Sequence, residues 1–354
     1  MRILHLIPTL SGGGAERQLA LMAREHASQG VDVSIIYHGD GPNMAYLKKS
    51  EVELVQLNIR NNHDPMALWS IIQFIRKRRP DLVQTWLPQM DILGGIAARV
   101  CGVPHILSER ASAMAYGSDW KSRLRARIGK HATAIIANSN TGARYWKEHG
   151  ATGDMHVVVN AITPFGSQFP EPPEDLVHPA ILYAGRIAPQ KNLKNMVDAL
   201  GLALRQKPDL HAYILGTGHQ EDVLRGWIAK LEIAARIHVK GYVANLHPWY
   251  THADVFVSVS DFEGHPNVVL EAASVGCPLV LSDIAEHREA VPADGALFVD
   301  GHNPADIAGA LIASLDDVQA GRRRAAVAKD FVTDLSVENQ AAKYADIYRK
   351  IVEK

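Results

Sequence analysis

The chain has 354 residues, enough for two domains of ordinary size, each with its own core. Hydrophobic residues make up 47% and charged residues 21%, which excludes a disordered chain; no apolar run approaches the roughly 20 residues of a membrane-spanning helix. Cys101 and Cys277, the only cysteines, exclude a disulfide framework or a cysteine zinc site and make a reducing cytoplasm the natural compartment. The formal charge of −1 divides into +6 over residues 1–160 and −7 over the rest. Much of the basic excess sits in Arg76-Lys77-Arg78-Arg79 and in residues 121–130. Such runs are ordinarily solvated helix faces; the other reading is attraction to anionic lipid or to a phosphate-bearing substrate. With no interleaved aromatics and no nucleic-acid motif, no nucleic-acid partner is expected.

In chain order, MRILHLIPTLSGGG reads as a strand and a loop rather than a signal peptide. Strands are expected at residues 3–7, 31–37, 52–57, 82–86, 105–108, 134–138 and 157–159, with helical periodicity over 15–28, 66–77 and 92–100. Met66 and Trp69 are expected at core or cleft-wall positions, and His105 in the core or at a strand edge. Residues 164–179, PFGSQFPEPPEDLVHP, carry five prolines and disfavour both helix and strand, so they read as an interdomain linker. Alternation restarts with strands at 180–184, 211–215, 237–239, 255–259, 279–281 and 297–299. Strands alternating with helices predict parallel sheets covered on both faces, hence two doubly wound α/β domains. Ligands of such sheets bind at the carboxyl ends of the strands.

Three strings fall at those ends. Ser11-Gly12-Gly13-Gly14-Ala15-Glu16-Arg17 follows the first strand and opens the first helix. It is either a tight turn or a place where a ligand approaches backbone amides at a positive helix end. It is not G-x-G-x-x-G, and the second strand ends without a ribose-binding acid, so a nicotinamide oxidoreductase is disfavoured. Gly185-Arg186-Ile187-Ala188-Pro189-Gln190-Lys191-Asn192 places two cations where they could converge on a diphosphate, or merely face solvent. Gly216, in Leu215-Gly216-Thr217-Gly218, ends the next strand similarly. Asp261-Phe262-Glu263-Gly264-His265-Pro266-Asn267-Val268-Val269-Leu270-Glu271-Ala272 is the most informative. Pro266 suits a helix's first turn, which puts Glu263 in the loop ahead of the helix and Glu271 about one turn inside it. Two carboxylates can then face one site, with helix amides near His265–Val268 aimed at an anion. The 17 histidines show no metal-binding spacing, so no metal and no cofactor is expected.

E-G-x-P-N-V-x-L-E-A over residues 263–272 resembles the signature of glycosyltransferase family 4. Residues 185–192 resemble that family's G-R-x-x-x-x-K-N, and residues 12–17 its G-G-x-E. The resemblance covers nearly the whole chain and implies the GT-B fold, two Rossmann-like domains with a cleft between them, and retaining transfer from a nucleotide-activated sugar. The implied layout is an acceptor-side domain over 1–163, the linker, a nucleotide-sugar domain over 180–335, and a last helix in 336–354 that packs back on the first domain. Arg186 and Lys191 would hold the donor diphosphate, Glu271 the nucleotide ribose and Glu263 the sugar hydroxyls. Gly264 and the backbone of His265, Pro266, Asn267 and Val268 would position sugar and phosphate. Gly13 and Gly14 would approach the phosphates from the other domain. Many relatives carry a histidine six residues after the proline found here as Pro104. Arg110 stands there instead, with Glu109 beside it, so Glu16, Glu109 and Arg110 form the expected acceptor side. Arg110 would stabilise the departing phosphate or grip a phosphate on the acceptor. The expected donor is a UDP-sugar and the expected acceptor a lipid-linked saccharide in polysaccharide or glycan assembly, met by a cytoplasmic protein held peripherally on the anionic inner face of the membrane. The alternatives are a nucleotide-sugar 2-epimerase of the same fold and a non-catalytic nucleotide-sugar-binding protein.

Overall fold

The computed structural model describes residues 1–59, 65–111, 114, 116–117, 119–163, 165 and 169–353. The start of the expected linker, residues 164 and 166–168, and Lys354 lie outside the described residues. The chain divides into two compact units, Met1–Ala161 with Leu335–Lys354, and Ile162–Asp334.

In the first unit the strands are β1 (Arg2–Leu6), β2 (Asp32–Tyr37), β3 (Glu53–Gln56), β4 (Leu82–Trp86), β5 (His105–Glu109), β6 (Ala134–Ala137) and β7 (Asp154–Val157). They form one sheet in the order β3-β2-β1-β4-β5-β6-β7, with parallel pairing throughout. The central strands are buried along their length, so apolar residues fall on both faces, and the polar residues of β4 and β5 (Gln84, Thr85, His105, Ser108 and Glu109) are hydrogen-bonded within the unit. Between them run α1 (Gly14–Ser28), α2 (Pro65–Arg78), α3 (Pro88–Cys101), α4 (Trp120–Gly129) and α5 (Asn140–Glu148). Helix α4 starts where the Asp119 carboxylate accepts from the amides of Lys121 and Ser122 at 2.8 and 3.2 Å. The seventh strand lies three residues upstream of its expected place. Its Asp-Met-His-Val sequence is exposed at both ends and lacks an apolar pattern, whereas the three valines that attracted the assignment lie at its exit.

The second unit holds β8 (Ala180–Ala184), β9 (His211–Leu215), β10 (Ile237–Gly241), β11 (Val255–Ser258), β12 (Leu279–Ser282) and β13 (Leu297–Val299). These form a second parallel sheet in the order β10-β9-β8-β11-β12-β13. Its helices are α6 (Leu193–Gln206), α7 (Glu221–Ile228), α8 (His247–His252), α9 (Asn267–Ser274), α10 (Ala285–Ala290), α11 (Pro304–Asp316) and α12 (Val318–Thr333). The largest part of its core is built from Ile181, Ile214, Val255, Val257 and Val280 on the sheet and from Met196, Leu200 and Leu311 on α6 and α11.

The final helix, α13 (Val337–Val352), belongs to the first unit. Its Ala341, Tyr344, Ile347, Tyr348 and Ile351 recur at helical spacing and bury against Ile3, Leu21, Met22 and Ile106. Two polar ties fix its rotation: the ring of His26 meets the carbonyl of Ala341 at 2.9 Å, and the Tyr348 hydroxyl donates to Gln84.

Candidate active site

In the second unit the loops that leave β8, β9 and β11 meet at the carboxyl edge of the sheet. The amides of Gly185 and Ile187 donate to Leu215 and Thr217 at 2.9 Å each, so the first two loops are laced backbone to backbone. Gly216 makes that possible. A Cβ there would lie 1.9 Å from the Gly185 carbonyl oxygen, and its φ of 137° is one that L side chains rarely adopt. The amide of Asp261 donates to the Gln190 carbonyl at 2.9 Å, which draws the β11 loop against the β8 loop.

This lacing brings Lys191 and Glu263 together, 72 residues apart in the chain. The Lys191 ammonium donates to Glu263 Oε1 at 2.5 Å, and the Ser260 hydroxyl donates to the same oxygen at 2.7 Å. Both partners are buried, with side chains 11% and 8% exposed. Burial alone would push the Glu263 carboxyl up; the charge and hydrogen bond of Lys191, helped by His287 and Ser260, more than offset it and hold the carboxyl below its ordinary range. Behind the pair, the His287 ring is fully buried against Ser282, whose hydroxyl donates to the Ser260 carbonyl at 2.7 Å. Burial lowers that histidine's pKa against the opposing pull of Glu263. Arg186 is exposed, and its guanidinium reaches Gln190 at 3.3 Å. The two cations of the motif therefore differ: one is built into the unit and one faces solvent.

Pro266 caps α9 rather than occupying its first turn. Its carbonyl accepts from Val269 and Leu270 at 3.0 and 3.2 Å, and the amides of Asn267 and Val268 head the helix, where positive charge concentrates. Gly264 and His265 lie in the loop just ahead, His265 buried. Glu271, one turn inside, is also buried, and its Oε2 accepts from the Tyr250 hydroxyl at 3.2 Å. Ser260, Tyr250 and His287 support the motif residues without belonging to any motif. Only Ser260, one residue ahead of the Asp261–Ala272 string, had a signal in the sequence.

In the first unit, Gly12 and Gly14 are exposed after β1, and Gly13 is the N-cap of α1. Glu16 folds back over them. Its Oε1 accepts from Ser11 and Thr9 at 2.9 and 3.4 Å, and its Oε2 lies 2.2 Å from where a Cβ on Gly13 would sit. Glu109 and Arg110 need correction as acceptor-side residues. Glu109 is 0% exposed. Its carboxylate accepts from Ala111 N at 2.9 Å, from Trp146 Nε1 at 2.8 Å, from Arg125 at 3.0 Å and from the Tyr116 hydroxyl. Every lone pair it could offer an acceptor is already in use. Arg110 points into its own unit: it donates to Asn160 at 3.2 Å and to the Tyr344 hydroxyl on α13, with its guanidinium 4.3 Å from the centre of the Trp86 ring. His105 is a core residue. Its Nε2 meets the Thr85 hydroxyl at 2.9 Å, and burial pushes its pKa down to about 4.

Residues 12–164 match the family model described as Glycosyltransferase Family 4, and residues 178–317 match the one described as Glycosyl transferases group 1. The chain is a glycosyltransferase of the family 4 type. This glycosyltransferase is 33% identical over 180 residues to the D-inositol 3-phosphate glycosyltransferase of Paenarthrobacter aurescens. That match takes in 49% of this chain and 44% of the relative, less than half the relative's length. It is 25% identical over 320 residues, 80% of each chain, to the UDP-Gal:alpha-D-GlcNAc-diphosphoundecaprenol alpha-1,3-galactosyltransferase of Escherichia coli. Among solved structures, Anabaena HepE in complex with UDP-glucose superposes on it with a TM-score of 0.87 at 18% identity, over 99% of this chain and 100% of that one. The shared fold is GT-B, two Rossmann-like domains each with a parallel sheet. Among the described residues, no helix is long and apolar enough to cross a membrane, and no three His, Cys, Asp or Glu side chains are grouped to hold a metal ion.

Proposed function

We propose that the enzyme moves a sugar, with retention of configuration, from a UDP-sugar to a hydroxyl of a lipid-linked saccharide in cell-surface polysaccharide or glycan assembly. It would act as a cytoplasmic protein held peripherally on the inner face of the membrane. The observation that carries this reading is the buried Lys191–Glu263 pair beside the head of α9, with Arg186 exposed on the same loop. A diphosphate brings more negative charge than one carboxylate, so it would draw the Lys191 ammonium into sharing, with Arg186 closing from solvent. Glu263, freed of part of that bond, would turn to the sugar hydroxyls, and Glu271 would accept from the ribose. The similar proteins support the class of donor and acceptor: UDP-galactose and a diphosphoundecaprenol-linked sugar for the E. coli enzyme, UDP-glucose in the HepE complex.

In the reaction, the bond from the anomeric carbon to the diphosphate oxygen breaks and that oxygen keeps the electron pair. Arg186, Lys191 and the amides heading α9 stabilise the charge it gains. The acceptor hydroxyl attacks the oxocarbenium-like carbon from the face just vacated, and its proton passes to the departing diphosphate. Buried Lys191 and solvent-facing Arg186 supply the positive charge this scheme needs, so we assign the enzyme no metal cofactor. Gly14, exposed at the head of α1, is the glycine open to a phosphate, because the Glu16 carboxylate covers Gly13.

Incubation with a panel of nucleotide sugars, with and without lipid-diphosphate saccharides and with and without EDTA, tests the reading. The expected result is EDTA-insensitive, acceptor-dependent release of UDP and a product whose anomeric proton coupling matches the donor's configuration. Sugar isomerisation without an acceptor would mean an epimerase. Donor binding with no turnover on any acceptor would mean a binding protein.

A further inference from the structure

Helices α2, α3 and α4 are the crossovers from β3 to β4, β4 to β5 and β5 to β6, which all run the same way across the sheet, and α3 packs against both α2 and α4, so the three form one layer on one face of the first unit's sheet. The layer's outer surface has an unusual composition. Among its described residues there is no exposed carboxylate: α2 and α4 contain no acid, and the one acid of α3, Asp91, is fully buried. Its exposed cations are Arg76 and Lys77 on α2, Arg99 on α3, and Lys121, Arg123 and Arg127 on α4. The same surface exposes large apolar side chains, Trp69 at 56%, Trp120 at 62%, Met66 at 53% and Val100 at 55%. Met66 and Trp69 are thus not core residues. The two tryptophans are the only ones among the exposed large hydrophobics of the described residues.

Two members of the basic runs do not belong to this surface. Arg125 is buried between Asp91 and Glu109 at 2.7 and 3.0 Å, stacked 4.5 and 4.9 Å from the Tyr116 and Trp146 rings. Arg78 pairs with Asp32 and Glu53 at 2.9 and 3.0 Å. Removing them sharpens the pattern: what the three helices themselves still expose is cationic and apolar together, and the acids at their borders are already engaged, Asp119 in capping α4 and Asp32 and Glu53 with Arg78. Because the strands are parallel, all three helices begin at the sheet's carboxyl edge. Met66, Trp69 and Trp120, near those beginnings, therefore stand at the edge that also carries Gly12–Gly14, and the cations of α2 and α3 stand toward the opposite end.

We infer that the outer face of α2, α3 and α4 docks on an anionic lipid leaflet, with Trp69 and Trp120 entering the headgroup region. An ordinary solvated face mixes both signs of charge; a face of one sign that also exposes two indoles matches a surface that is negative and has an apolar interior. Tryptophan suits that boundary because its ring is apolar and its N–H stays wet. Seating this edge on lipid would bring the carboxyl ends of the strands to the plane in which a lipid-linked acceptor presents its saccharide. The inference rests on the peripheral placement proposed above and on neither the donor nor the linkage.

The test is sedimentation of the protein with vesicles of phosphatidylcholine containing about 30% phosphatidylserine, against phosphatidylcholine alone. Binding is expected to the anionic vesicles, falling at least about tenfold between roughly 50 and 500 mM salt. Replacing Arg76, Lys77, Lys121, Arg123 and Arg127 together by Gln should lower it at least about tenfold. The control, Arg322→Gln with Arg323→Gln on α12 of the second unit, should leave binding unchanged. Trp69→Phe with Trp120→Phe should abolish the blue shift of tryptophan emission on vesicle addition. Unfolding midpoints like the parent's would show each variant folded. Equal binding to neutral vesicles, an undiminished five-fold variant, or an equal loss in the α12 control would overturn the docking face. Turnover on a water-soluble acceptor analogue separates the two readings. If it persists while vesicle binding is absent, the surface is wrong and the reaction stands; if vesicle binding is present and no donor is turned over, the reverse holds.

Discussion

Replacing Lys191 by Met keeps most of the apolar stem and deletes the charge. Glu263 would then be left 8% exposed at its side chain, with the Ser260 hydroxyl still donating to it. Removing one partner of a buried pair costs about 3–5 kcal/mol, because the other charge stays desolvated and uncompensated. Part of that cost is avoided if Glu263 takes up a proton, so its carboxyl should move from below its ordinary range to above it. The change should also weaken binding of a nucleoside diphosphate by about 1.5–3 kcal/mol, the value of a lost charge-assisted bond. Lys191→Met with Glu263→Gln removes both charges and should regain about 2 kcal/mol of stability or more without restoring affinity. Arg186→Ala supplies the contrast. Its exposed guanidinium should cost no more than about 0.5 kcal/mol of stability, yet a similar loss of affinity. Urea unfolding gives the stabilities, and calorimetric titration with UDP gives the affinities. A Lys191→Met protein as stable as the parent would refute the buried-pair argument. Full recovery of UDP binding in the double variant would show that Lys191 acts only on Glu263 and never on the diphosphate.

Glu271→Ala should mainly raise the donor KM, since a ribose contact is present before and during bond breaking, whereas Glu263→Ala should depress kcat; steady-state kinetics giving the opposite pattern would exchange their roles. Arg125→Gln leaves Asp91 and Glu109 buried together without their cation, and should destabilise the first unit by about 3–5 kcal/mol, while Arg127→Gln, two residues on and exposed, should change it by less than about 0.5 kcal/mol. Acid should also weaken that unit. Burial, helped by His26, holds His5 down at about 3, and burial holds His105 at about 4, so each takes up its proton on unfolding and stability present at pH 7 is lost below 6.5, by about 2 kcal/mol per histidine at pH 5. Asp91, pushed up to about 6 by burial against the pull of Arg125, works the other way and returns about 1.3 kcal/mol between pH 7 and 5. A urea midpoint that does not fall between pH 7 and 5 would contradict the net sign.

The fold was legible because its signals are local. Apolar strand runs and helical periodicity sit next to one another, and twelve of the thirteen strands lie within about two residues of their expected places; β7 moved because an edge strand need not be apolar. The second unit's motif residues were legible for the same reason: each lies where a strand ends and a helix or turn begins. Their pairing was not. That Lys191 bonds Glu263 depends on the Asp261–Gln190 and Gly185–Leu215 bonds, contacts between segments that no short string records. His287 and Tyr250 were invisible because a buried supporting side chain has no spacing rule.

The first unit went furthest from expectation, and the reason is one of charge burial. Glu109 and Arg125 each look available in a linear reading, as a motif acid and as one cation in a basic run. A buried charge is tolerated only where it is paired and hydrogen-bonded. Once the chain places Glu109 at the end of a fully buried strand, it needs a cation, and Arg125, on the inward side of α4, supplies it. Arg110, the next residue, turns the other way and is taken up by Trp86, Asn160 and Tyr344, so the position where relatives carry a histidine serves here to hold α13. With those groups spoken for, the Gly12 and Gly14 backbone still faces solvent at the carboxyl edge, with Glu16 folded behind it, as do Asp40 after β2 and Asn140 after β6. The cations left exposed on α2 and α3, Arg76, Lys77 and Arg99, stand in the last turns of their helices, away from the Gly12–Gly14 loop, and fall to the lipid-facing surface inferred above.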